Sequence, residues 1–163
     1  METREFWFFV SLLTVAIPAS VSLTTSAIYI PLKKFPAAIR DVASFWYQKL
    51  YVALVFSLFA TLVGLGVYVP LVYESLKLQN LEEIVRSALF IIYTVSLFFL
   101  TLSFKKQTLS TGGIVAHSFF ASMLLVVGTQ ENTLDFLTYL YVLIILALFA
   151  IVRYGVSTFS KKL

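Results

Sequence analysis

Uncharged, mostly apolar stretches recur five times along the chain, at residues 6–32, 50–73, 87–104, 107–130 and 136–152. A helix that crosses the hydrocarbon core of a bilayer needs about 20 predominantly apolar residues. Backbone amides in lipid must be satisfied within their own segment, so such spans are helical. The pattern predicts an all-α membrane protein, a bundle of five transmembrane helices near residues 6–30, 50–73, 81–104, 112–129 and 134–156. Residues 1–163 then form a single integral membrane domain. The fourth stretch is the weakest, diluted by Gly112, Gly113, His117 and several hydroxyls.

The boundaries carry their own signals. Asn80 followed by Glu83 reads as a capping box, and Glu82 and Glu83 face the positive helix terminus, so the third helix is expected to start near Leu81. Asp135 is expected in the first turn of the fifth helix, where a carboxylate suits the helix dipole. Between Pro36 and Lys49, residues 37–43 predict a short helix lying in the membrane interface. Gly66 and Pro70 weaken the outer end of the second helix. Trp7, Trp46, Tyr47, Tyr51, Tyr139, Tyr141 and Tyr154 fall near predicted helix ends, as aromatic-belt residues do.

Charge then orients the bundle. With loops alternating between faces, one face holds Lys33, Lys34, Arg40, Lys49, Lys105, Lys106, Arg153, Lys161 and Lys162, with Asp41 as its one acid. The other holds Arg4, Lys77 and Arg86 among seven acidic residues. Basic residues accumulate on the cytoplasmic side of membrane proteins, which predicts an outside N-terminus and a cytoplasmic C-terminus. Removing the weak fourth span would carry Arg153, Lys161 and Lys162 to the acidic face, so the charges favour five spans over four.

Composition excludes several classes. A 60% hydrophobic, 12% charged chain lies outside the soluble range of about 45–50% and about 25%. The net charge of +4 is explained by the basic membrane face, whose partners are lipid headgroups and not nucleic acid. The absence of cysteine removes disulfides, thiolate catalysis and Cys-ligated metal centres. Two Glu against one Arg in residues 1–5, and a run far longer than a signal's apolar core, predict that the first helix stays in the mature protein.

Three groups of residues are candidates for function. Ser11, Thr14, Pro18, Ser22, Thr25 and Tyr29 recur at spacings of three and four and share one face of helix one. Such a seam is either helix–helix glue or the wall of a polar conduit. Pro18 frees the carbonyl of Thr14 and predicts a kink. Ala53, Ser57, Ala60 and Gly64 make a small-residue face on helix two, suited to close approach of helix one or of another subunit. His117 is the one histidine, placed about one and a half turns inside helix four. An imidazole there either packs with a hydrogen bond or touches a haem or quinone held mainly by partner subunits. No carboxylate falls mid-helix and no catalytic or metal-binding motif is present, so chemistry by this chain alone is not expected.

The size, the five spans, the outside N-terminus and Leu81-Glu82-Glu83-Ile84-Val85 leading into an apolar third helix are similar to the small J-type membrane subunit of proton-pumping NADH dehydrogenases. The glycine which that family places in its third helix is absent from residues 87–104, and the loop lengths run opposite to its plan. No functional residue carries over. Two expectations follow: a non-catalytic integral subunit of a larger complex in the cell membrane, such as a respiratory one, or a small homo-oligomeric transporter or channel.

Overall fold

Proline and its neighbours punctuate the first part of the chain. In a computed structural model, which describes residues 3–78, 81–128 and 135–163, α1 (Thr3–Ser11) passes into a π-helical turn (Leu12–Ala16) and then into α2 (Ile17–Ile28). The N–H of Ile17 reaches back five residues to the carbonyl of Leu12. Pro18, next in the chain, has no N–H to return to Thr14, and a wide turn absorbs that missing bond. The disturbance expected at Pro18 thus takes the form of a π turn. Tyr29 leaves the helix in extended conformation two residues before Pro31, as chains do ahead of proline. A 3₁₀ turn (Leu32–Lys34) and Pro36 lead into α3 (Ala37–Leu78).

At 42 residues, α3 is the longest element, extending about 63 Å at 1.5 Å per residue. The short interfacial helix expected at residues 37–43 is therefore not a separate element: it is the first turns of α3. The physical reason is that residues 37–63 contain neither proline nor glycine, so nothing interrupts propagation through the charged segment. The helix also continues through Gly66 and Pro70.

Lys105 ends α4 (Leu81–Lys105), and a Schellman motif follows: the Thr108 N–H bonds the Ser103 carbonyl at 3.0 Å and the Gln107 N–H the Phe104 carbonyl at 3.1 Å. Gln107 takes the left-handed position, at φ 55°, where glycine is usual. Ser110 caps α5 (Thr111–Val127), accepting from the Gly113 N–H at 3.1 Å. Asp135 is the N-cap of α6 (Phe136–Lys162), one residue outside the helix turn expected for it, and makes no side-chain capping bond. The Asn80 cap lies outside the described residues.

The described chain is helical with no strand, and four helical stretches are long and apolar enough to cross a membrane: Phe9–Lys34, Ala37–Val67, Leu81–Lys105 and Phe136–Lys162. These features suit a multi-pass helical membrane protein. The fifth apolar helix, α5, has 17 residues, or about 26 Å, and is the short one. It nevertheless packs against α2, α4 and α6. α3 packs on α2, α4 and the π turn, and α6 on α2 and α5. Leu54, Tyr93, Leu97, Phe104, Ile114, Ala121 and Leu124 fill the core between them. Phe56, Phe59 and Ile151, each about two-thirds exposed, point away from it.

Candidate functional site: the polar interior and the basic end

The hydroxyls of the interior are largely answered by their own helices. Thr14 donates to the Val10 carbonyl at 2.6 Å, Thr25 to Val21 at 2.8 Å, Thr94 to Phe90 at 2.8 Å and Thr101 to Leu97 at 2.7 Å. Such back-bonding to the preceding turn satisfies a hydroxyl without a second helix. It also lets small polar residues sit at a helix contact without stranding a donor in an apolar medium. Thr14, Pro18, Ser22, Thr25 and Tyr29 are buried, while Ser11 is half-buried. Ser22 carries this seam across to a second helix: its Oγ lies 3.0 Å from the Tyr93 hydroxyl of α4 and 3.1 Å from the Ala19 carbonyl. With the serine proton on the carbonyl, Tyr93 donates to Ser22.

Tyr93 also flanks His117, ring centroids 5.6 Å apart. The imidazole is 2% exposed, six residues into α5, and its Nδ1 lies 2.9 Å from Ser96 Oγ. Ser96 donates its proton to the Tyr93 carbonyl at 2.8 Å. Nδ1–H is then the donor to Ser96, and Nε2 is left with a lone pair and no partner among the described residues. Ser22, Tyr93, His117 and Ser96 thus form one polar cluster where α2, α4 and α5 meet. Ser22, Tyr93 and His117 are buried and Ser96 half-buried.

The small-residue face of α3 meets helix one of the same chain. A methyl group on Gly64 would come within 2.8 Å of Thr14 Cβ and 3.0 Å of Phe90 Cζ, so only glycine lets the π turn and α4 approach there. Ser57 and Gly64 are buried, whereas Ala53 and Ala60 are half-buried; the most enclosed positions are Leu54 and Thr61. The contact face is thus rotated by one residue from the stripe of small side chains. It follows shape at the crossing and not side-chain size alone.

A second cluster ties the basic segments together. The Arg153 guanidinium of α6 donates to the Tyr29 carbonyl at 2.5 Å and the Ala27 carbonyl at 3.4 Å, capping the end of α2 with a positive charge. The end of α2 offers Arg153 unpaired carbonyls, which it meets at the basic end of the bundle. The Tyr47 hydroxyl receives the Ile30 N–H at 2.7 Å and donates to the Ile30 carbonyl. Its ring stacks on Phe104 at 5.2 Å, with Tyr29 tilted against both. Gln107 closes the knot, accepting from the Leu32 N–H and donating to the Phe104 carbonyl, both at 3.0 Å.

These bonds bring residues 29–34, 104–107 and 153 to one end of the bundle. At the opposite end, where α5 stops at Gly128, a crevice of about 20 Å³ is lined by Val15, Glu83, Arg86, Ser87, Phe90, Leu124 and Gly128. Arg86 pairs there with Glu83 at 3.0 Å.

Sequence reasoning missed Tyr93, Ser96 and Gln107. Tyr93 and Ser96 lie three apart on the His117-facing side of α4, inside a run with many other hydroxyls and aromatics, and nothing in their spacing singles them out. Gln107 carried one usable signal, a polar amide directly after Lys105 and Lys106 where a helix ends without glycine. Among the described residues no group of histidine and carboxylates could hold a metal. No family model, curated protein or solved structure matches this chain.

Proposed function

We propose that the chain is a non-catalytic integral membrane subunit of a larger complex, crossing a prokaryotic plasma membrane five times with its N-terminus outside and its C-terminus in the cytoplasm. The observation that carries this reading is the direction in which its chemistry faces. The hydroxyl seam and His117 are turned into the bundle and lie at helix contacts, while the outward faces of α3 and α6 are bare and apolar. A route for a solute needs polar groups along an opening; here the polar groups lie where helices touch. What the molecule offers to its surroundings is helix surface, and helix surface is what a membrane subunit contributes to an assembly.

Five crossings suit the bundle because α5, though short, lies within the range of about 17–25 residues of known spans and packs on three neighbours. The test is purification from native membranes in mild detergent followed by mass spectrometry. Other integral membrane proteins recovered in fixed ratio are the expected result. A pure homo-oligomer that moves solute across liposomes overturns the proposal, as does a monomer recovered with no partner.

A further inference from the structure

At the basic end a groove of about 420 Å³ opens between residues 44–52 of α3 and the end of α4. Its floor is the Tyr47–Phe104 stack, and Gln107 closes one end. Its rim carries Ser44, Gln48, Tyr51 and Lys105. The Lys105 ammonium sits over the Tyr51 ring, 5.8 Å from its centroid, which holds a positive charge at the groove wall. The side chains of Ser44 and Gln48 have no partner among the described residues and are free to donate. Lys33, Lys34, Arg40 and Lys106 belong to the same end of the chain's fold, against Asp41 as the one acid there. On the side away from this rim the groove passes to Val52, and from there to the exposed apolar face of Val55, Phe56 and Phe59 on α3.

From this arrangement we infer that the groove binds one anionic phospholipid, its phosphate held by Lys105, Ser44 and Gln48 and an acyl chain lying along Val52, Val55 and Phe59. A charged, donor-lined recess that runs directly into an apolar helix face has the amphipathic order of a lipid molecule, head to tail. Basic pockets between helices on the cytoplasmic side commonly receive such headgroups. A soluble anion would use the rim but leave the apolar continuation unfilled. The inference needs the chain to lie in a bilayer and does not depend on which partners it has.

The experiment is native mass spectrometry of the purified full chain, titrated with phosphatidylglycerol or with phosphatidylcholine. One phosphatidylglycerol per chain is expected to bind in preference to phosphatidylcholine. Lys105→Gln is expected to weaken that binding roughly fivefold, the effect of one basic residue near a headgroup, with Lys162→Gln as a control that leaves it unchanged. Ser44→Trp, which fills the groove and keeps every charge, is expected to abolish it. Equal retention of both lipids, an equal loss in Lys162→Gln, or full retention in Ser44→Trp would each overturn the site. Displacement of the lipid by millimolar inorganic phosphate would assign the rim to a free anion instead, and so overturn the lipid.

Discussion

Gly64 and Gly66 sit two residues apart in α3 and carry opposite expectations. A methyl group at Gly64 meets Thr14 and Phe90 at 3.0 Å or less; at Gly66 it meets nothing within 4 Å. Gly64→Ala is expected to destabilise the bundle by about 1–3 kcal/mol, the usual cost of overpacking. Gly66→Ala is expected to stabilise it by about 0.5–1 kcal/mol through backbone entropy. Unfolding in mixed detergent followed by circular dichroism separates the two, and equal effects would contradict the Thr14 contact. Gln107 poses a sharper question, because its left-handed backbone favours glycine while its amide makes two bonds. Gln107→Ala keeps the strained backbone and loses both bonds. Gln107→Gly loses the bonds but relaxes the backbone. Alanine should therefore be the worse of the two by about 1 kcal/mol in the same assay; the reverse order would mean that the left-handed backbone at residue 107 carries no strain.

Among the elements, α3 departs furthest from what its residues suggest locally. Arg40, Asp41 and Lys49 look like a loop or an interfacial segment because charge marks where lipid ends. Charge does not break a helix, however, and only a residue hostile to helical backbone does. The absence of cysteine makes a direct measurement simple. Spin labels on cysteines placed at Ala38 and Leu62, both exposed, should lie about 36 Å apart along one straight helix. A helix folded over near Lys49 would bring them to about 25 Å, and that value would restore the separate interfacial element. The same distinction explains the first span. Pro18 is legible as a disturbance, since its missing N–H is a covalent fact. The widened turn also brings Thr14 against Gly64 across the interface, a contact that no reading of one helix contains.

For the whole molecule, the side assignments rest on charge and on three bonded contacts. Arg153 to Tyr29, Gln107 to Leu32 and Tyr47 to Ile30 place the ends of α2, α4 and α6 and the start of α3 together. A protein threaded as proposed should therefore show single cysteines at Lys34, Lys106 and Lys162 reacting with an impermeant maleimide only in inverted vesicles. A cysteine at Glu5 should react only in right-side-out ones. Labelling of Glu5 and Lys162 from the same side would require an even number of crossings and would discard the orientation.

The order of apolar stretches, the class of fold and the gathering of basic residues were determined by the sequence by itself, because each is a sum over many side chains and survives any single misjudged position. Tertiary structure alone decided which face of α3 is inward, that Arg153 caps the end of α2, and that His117, Tyr93, Ser96 and Ser22 share one cluster. These outcomes turn on contacts of a few ångströms between residues 17 to 124 positions apart. Such contacts follow from how helices cross, and the period of a single helix carries no information about its neighbour.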